Sequence, residues 1–329
     1  MSYRCVNTDC PNHTAAFPLE AAKNLTFKCF LCQSKLSEPP LELTTVIDSI
    51  DTLPATLQIM PKLQQLLGDI NSSMGNIVLL IEKDPTLVSH IVKLSNSAYY
   101  SASSYCLTVE EAMNRIGFSE AYKMIGLVAS GQVLSDELEI YGLSPDELWE
   151  KSVLTATLMQ FLSHRSKSLK NYSMPVGGIA YTVGLLHSIG QMLINHYHIN
   201  TGISALDGLT EKLTPQKEDE LLGFDNYEAG ALLLQKWNFA NDLTRPIKFQ
   251  DVPEAAGKDE VMASLLSICK QAFADLPRQM IKTQIRTLYK NYEPNAKLMD
   301  IAKIEKDDLF EGLTEAVNEY DTLAKSLKD

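Results

Sequence analysis

From Leu57 onward, apolar residues fall at helical spacings. Met60, Leu63, Leu66, Leu67 and Ile70 lie three or four apart and form one stripe. Asn71-Ser72-Ser73 ends that helix and caps a second, running to about Lys83. Asp84-Pro85 is an N-cap followed by proline in the first turn, and it opens a helix carrying Leu87, Val88, Ile91 and Leu94 up to Asn96-Ser97. Thr108-Val109-Glu110-Glu111 has the form of a capping box, with Gly117 as a left-handed stop. Ser119 starts a helix to about Val133, and Ser144-Pro145-Asp146-Glu147 starts a long one to about Arg165. Single helices are predicted over about 178–196 and from Asp225-Asn226-Tyr227-Glu228 to Trp237. Two or three more follow from Asp259 to the end. No useful β alternation appears after residue 45, and no internal repeat is present.

The stretch before this helical body is different in kind. Residues 1–37 lack a helical period and hold four of the six cysteines: Cys5, Cys10, Cys29 and Cys32. Cys5-x4-Cys10 and Cys29-x2-Cys32 are two close pairs separated by 18 residues. Tetrahedral zinc takes four thiolates presented by two tight turns, so the spacing predicts a zinc ribbon holding one structural zinc. About 37 residues cannot fold on a hydrophobic core alone, and metal binding supplies the missing free energy. Two disulfides or four free thiols are the bland alternative, disfavoured in a reducing compartment. His13 is a substitute ligand in principle, although four cysteines already complete the shell. Glu38-Pro39-Pro40 opens a stiff linker over residues 38–45.

Composition narrows the partners. The 329 residues are 45% hydrophobic, enough for a sizeable core, with a net charge of −12. An acidic body repels phosphate backbones, so nucleic acid is not an expected partner. The ribbon segment is near neutral and lacks the basic, aromatic face of a nucleic-acid reader. The start of the chain has no apolar run of the secretory kind. The most apolar window, 179–194, contains His187, Ser188 and Gln191 and is too short and polar to span a membrane. The expectation is a cytoplasmic protein with no membrane partner.

Several motifs in order resemble the HDOD family, an output-domain relative of the HD phosphohydrolases. They are Leu53-Pro54-Ala55; Ile81-Glu82-Lys83-Asp84-Pro85-Thr86-Leu87; Lys93-Leu94-Ser95-Asn96-Ser97-Ala98-Tyr99-Tyr100; Thr108-Val109-Glu110-Glu111-Ala112 with Arg115-Ile116-Gly117; Leu148-Trp149; and Gly184-Leu185-Leu186-His187. The resemblance covers roughly residues 46–255. It implies a mainly α, two-lobed HDOD/HD-like domain, with lobes at about 46–134 and 145–255 joined near 135–147, and a helical extension over 256–329 packed on the second lobe. Asn96 and Ser97 belong to its signature. Taken as residues, they end a helix, with Asn96 able to adopt a left-handed conformation. The predicted core includes Leu63, Leu66, Ile91, Leu94, Leu154, Leu158, Leu185 and Leu186.

The resemblance also implies where HD metal ligands would fall. The first histidine position holds Lys151, and a protonated ammonium cannot ligate a cation. The His-Asp pair is His187-Ser188, which lacks the anionic ligand. A later histidine pair aligns near Phe249-Gln250, and the final aspartate falls near Ser264–Ser267, where there is no carboxylate. His187 is a ligand remnant or a packed histidine bonded to backbone or Ser188. His196 and His198, two apart, face away from each other on a helix. Lys151 beside His187 and Ser188 favours a small anionic ligand instead of a metal. The implied function is a non-catalytic bacterial signalling module acting through protein or small-ligand binding. The alternatives are a divergent metal-dependent phosphohydrolase and a zinc-ribbon nucleic-acid regulator.

Overall fold

The computed structural model describes residues 2–5, 7, 9–37, 41–50, 55–68, 73–96, 100, 105–117, 121, 123, 125, 137–170 and 176–328. The first 37 residues build a three-stranded antiparallel sheet with Ser2–Cys5 in the middle. Tyr3 pairs with Phe17 on one side, and Cys5 pairs with Leu36 on the other. A short helix, Leu19–Asn24, interrupts the segment and was not evident in the sequence pattern. Six residues are too few to show a period. The helix earns its place by burying Ala22 among the cysteines. This small core of Cys5, Cys10, Ala22 and Cys29 is separate from the main one.

Helices make up most of the remaining described residues. The first, Leu43–Asp48, begins inside the stretch expected to be linker, because Val46 and Ile47 are apolar anchors for the main core. Residues 38–40, with both prolines, lie outside the described residues. Ala55–Gly68, Met74–Ile81 and Pro85–Ser95 follow, the last started by Asp84, whose carboxylate accepts from the Leu87 amide at 3.3 Å. The next spans 109–117 and ends at Gly117 with φ +79°. Thr108 Oγ1 accepts from the Glu111 amide at 3.1 Å, as a capping box requires. Glu111 reaches back one residue further than predicted, to the Leu107 amide at 2.7 Å. The helix expected from Ser119 to Val133 lies mostly outside the described residues.

Leu138 and Leu143 form an isolated β bridge around a 3₁₀ turn, and Gly142 takes a left-handed conformation with φ +57°. No continuous helix crosses the described part of this joint. A full capping box then starts a long core helix, Pro145–Arg165. Ser144 Oγ accepts from the Glu147 amide, and Glu147 accepts from the Ser144 amide. This spine helix is buried on every face from Ser152 to Gln160. It packs against Val176–Leu186, Glu260–Asp275 and Lys306–Lys328.

The single helix expected over 178–196 is two, Val176–Leu186 and Ile189–Thr201, broken at His187-Ser188. The Gly184 carbonyl is engaged by the His187 ring at 2.7 Å, and the chain turns there. Two short helices were not expected: Pro215–Leu222 is mostly polar, and Asn241–Lys248 carries Pro246 inside it although Leu243 and Ile247 share its buried face. The C-terminal part holds four helices: Glu260–Asp275, Arg278–Asn291, Ala296–Ala302 and Lys306–Lys328. The most apolar stretch, Val176–Thr201, is mostly buried inside the fold.

Leu63, Ile91, Leu154, Leu158, Leu185 and Leu186 are buried as predicted, and Leu66 is half-buried. The Leu94 side chain lies outside the described residues. Two glycines mark where helices touch backbone to backbone. A Cβ on Gly184 would sit 2.6 Å from Ala156 Cα, and one on Gly190 would sit 1.7 Å from the Asn226 carbonyl oxygen. Gly184→Val and Gly190→Ala should each cost about 3 kcal/mol or more in urea unfolding, through overpacking that rigid backbone cannot relieve. Gly75→Ala, whose Cβ would meet only Ser73 Oγ at 3.5 Å, should be neutral or stabilise by up to about 1 kcal/mol. Equal losses at all three positions would refute this packing.

Candidate metal centre and the His187 turn

The ribbon brings its four cysteines together. Cys5 and Cys32 sulfurs lie 3.3 Å apart, Cys10 and Cys29 sulfurs 3.8 Å apart, and all four within 4.8 Å of one another. Tetrahedral bonds of about 2.3 Å put sulfurs at roughly 3.8 Å from each other, so the four fit around one ion. Tight turns present them. The Cys10 amide bonds the Asn7 carbonyl at 3.1 Å, and the Gln33 amide bonds the Cys29 carbonyl at 2.8 Å with Gln33 at φ +62°. Asn12 Nδ2 donates to the Cys29 sulfur at 3.3 Å, the outer-shell bond expected of a ligating thiolate. Hydrogen bonds from the Ser34 side chain and backbone hold Cys32 down to about 6, whereas burial pushes Cys5 up to about 12. Without a cation, four thiols at this spacing cannot all ionise, and Cys32 loses its proton first. Softness and geometry suit a thiolate-preferring ion. The His13 side chain lies outside the described residues.

The second location is the turn that ends Val176–Leu186. His187 and Ser188 are buried there. Burial, with the ammonium groups of Lys270 and then Lys151 nearby, pushes His187 down to about 4. The ring is therefore neutral at pH 7. Its Nδ1 faces a carbonyl, which only accepts, so Nδ1 carries the proton. This is the packed, backbone-bonded histidine. Gln250 locks the turn from the other side, donating from Nε2 to the His187 carbonyl at 3.2 Å and to the Ile247 carbonyl at 2.8 Å. Ser264 and Ser267 are buried on Glu260–Asp275. Lys151 is exposed on the spine helix, although its charge reaches His187.

Sequence reasoning missed the strongest charge here. Lys270 Nζ bonds Asp251 at 2.9 Å and Tyr227 Oη at 3.1 Å, and lies 4.3 Å from the centre of the Tyr227 ring. Burial lowers its pKa. No local motif marks a lysine inside a helix. His196 and His198 do not converge. His196 bonds Asn200, and His198 Nδ1 accepts from the Ile203 amide.

Asn96 is not among the left-handed residues of the described chain. It acts through its side chain: Nδ2 donates to the Cys106 carbonyl and Oδ1 accepts from the Cys106 amide, both at 2.8 Å. Arg115 also donates to Asn96 Oδ1 and to the Ser95 carbonyl. The amide thus closes the loop between two helices. Ser97 lies outside the described residues.

A helical body with these signature residues matches the HDOD domain family over residues 53–253, and the chain belongs to that family. It is 22% identical over 272 residues to an uncharacterised protein of Treponema pallidum (strain Nichols), covering 76% of this chain and 51% of the relative. The chain therefore spans about half the length of that curated relative. Among solved structures it is similar to an HDOD domain protein of unknown function from Geobacter sulfurreducens, with TM-score 0.54 and 18% identity over 86% of this chain and 95% of the other. It is also similar to a candidate phosphohydrolase from Shewanella amazonensis SB2B, with TM-score 0.61 and 24% identity over 85% and 98%. A candidate signal transduction protein from Marinobacter aquaeolei VT8 gives TM-score 0.62 and 20% identity over 89% and 62%. These likenesses establish the fold.

The His187 environment has a pH signature. The folded state binds the histidine proton less tightly than the unfolded chain, whose value is near 6.5. Its stabilising contribution is present above 6.5 and is lost as pH falls toward 4. Urea unfolding followed by helical ellipticity should show a loss of stability between pH 7 and pH 4.5 that is larger in the wild type than in His187→Gln. The difference should be on the order of 2 kcal/mol. Identical pH slopes in the two proteins would mean that His187 is not buried neutral.

Proposed function

We propose that this chain is a non-catalytic regulatory module of the HDOD family, acting in the cytoplasm through contacts with protein partners. The observation that carries the reading is the charge around His187. A metal-dependent phosphohydrolase needs a cation held by several carboxylates and imidazoles to polarise a phosphoryl oxygen and generate hydroxide. Here one neutral imidazole stands near two ammonium groups, Lys270 and Lys151, and both repel a cation. Asp251, the carboxylate that follows Gln250 in the chain, is already taken by Lys270.

The same reading assigns one zinc to Cys5, Cys10, Cys29 and Cys32 as a structural ion. Zinc is favoured because an all-thiolate tetrahedron without an open position suits structural zinc. Residues 1–37 are then a separable unit tied to the helical body by the linker, and their separate small core supports this. The ribbon exposes Phe30 and Leu31 at its tip, an apolar surface suited to protein more than to nucleic acid.

Three measurements test the proposal. Metal analysis of purified protein should give one zinc per chain, and Cys29→Ser should lose it. Incubation with nucleotides, cyclic dinucleotides and a generic phosphodiester, with manganese added, should give no turnover. Turnover abolished by His187→Ala would replace the regulatory reading with a divergent phosphohydrolase. Removal of residues 1–37 should leave a cooperatively unfolding helical protein. Loss of cooperativity would mean that the ribbon is part of the body's fold.

A further inference from the structure

A cleft of about 730 Å³ runs along the outer side of the spine helix, a size typical of small-molecule sites. One wall is Trp149, Lys151 and Leu154 of the spine helix. The other is Phe273, Arg278 and Tyr320. The second wall lies wholly beyond residue 253, where the family match ends. The cleft is therefore made by the C-terminal helices closing on the family domain.

Its chemistry is ordered. Tyr320 is buried against Trp149, with ring centres 5.3 Å apart and planes at 54°. Arg278 lies 4.7 Å from the centre of the Tyr320 ring and is neutralised by Glu150 at 3.0 Å and Asp321 at 2.6 Å. Lys282 pairs with the same Asp321. These charges are consumed in holding the C-terminal helix to the spine. Lys151 is different. Among the described residues it has no carboxylate within ion-pair distance, and Glu147, one turn earlier, feels its charge only weakly. Beside it the wall is apolar, with buried Leu154 and half-buried Phe273. Asp146 and Glu147 line the cleft beyond Lys151 and make no ion pair among the described residues. A second anionic group on a ligand would meet them and be repelled.

We infer that this cleft binds a small amphiphilic monoanion. An aromatic or alkyl body packs on Trp149, Leu154 and Phe273, and one carboxylate or sulfonate pairs with Lys151. The ligand bridges the family domain and the C-terminal helices, so its binding strengthens their closure. The inference deepens the regulatory reading and rests on it: the site takes a signal molecule, not a substrate.

The chain has two tryptophans, and Trp237 lies outside this cleft. Trp237→Phe in the full chain leaves Trp149 as the only reporter. The probe is anilinonaphthalene sulfonate, an aromatic body with one anion, read by energy transfer from Trp149. Saturable one-to-one binding is expected. Lys151→Gln should weaken it by about tenfold or more, since a charge-assisted pair is lost, and Lys151→Arg should largely restore it. Uncharged phenylnaphthylamine should bind about tenfold more weakly or worse. No saturable transfer, or equal binding in wild type and Lys151→Gln, overturns the inference. Manganese-dependent turnover would overturn the regulatory reading instead, and the two failures are separately visible.

Discussion

The structure depends on one helix that meets no solvent along its middle. Pro145–Arg165 is enclosed from Ser152 to Gln160, and three other helices lie on it. Such a helix cannot be amphipathic, so its packing is set by size and not by a polar face. Ala156 lets Val176–Leu186 approach until backbones touch at Gly184. Leu158 and Phe161 take the opposite helix at Gly312. Apart from Gln160, its buried polar residues are short ones: Ser163 bonds back to the Gln160 carbonyl at 2.7 Å, a bond that costs little volume. Everything that carries chemistry in the body hangs from this helix. Lys151 and Trp149 stand near its start, and the His187 turn ends the helix packed against it.

A second constraint fixes how the chain enters the spine. Glu218 is fully buried, and its carboxylate accepts from Tyr141 Oη at 2.5 Å, the Asn226 amide at 2.6 Å and Asn226 Nδ2 at 2.7 Å. Burial raises its pKa against the pull of those bonds. A buried carboxylate with three donors is costly to form and costly to break. It ties the turn before the spine helix to the start of Asn226–Lys236. The Leu213 amide and Lys212 ammonium add bonds to the carbonyls of Ile140 and Gly142. The left-handed Gly142 is thus held from outside, which sets the direction in which Ser144 opens the spine.

Local signals in the sequence were the reliable ones. Caps at Asp84, Thr108, Ser144 and Asp225 are decided within four residues, and each starts a helix where expected. The paired cysteines were legible because two short turns must each present two sulfurs. What failed was whatever tertiary contact decides. The break at His187-Ser188 has no proline or glycine at the turn itself and arises from a side chain bonding back to a carbonyl. Pro215–Leu222 is short and polar, and it is kept by the buried Glu218 that no pattern would assign to a core. The role of Asn96 was misread because its partner, Cys106, is ten residues away across a loop.

The His187 turn shows the same division. The resemblance could say which ligands were missing, since that compares one position at a time. It could not say what balances the charge that remains. Asp251 would be an uncompensated carboxylate beside a buried turn. Lys270, nineteen residues later, supplies the compensation from a different helix. That ammonium is held by one carboxylate, one phenol oxygen and one ring face, so little freedom remains to it. Burial comes first in keeping the His187 imidazole neutral, and the field of Lys270 adds to it more than that of Lys151. A cation fixed by covalent attachment to the chain cannot be exchanged, and its positive charge opposes the entry of any other. Under the proposed regulatory reading, Ser188 in place of an anionic ligand and the internal cation at Lys270 act in the same direction, and both disfavour a bound cation at this turn.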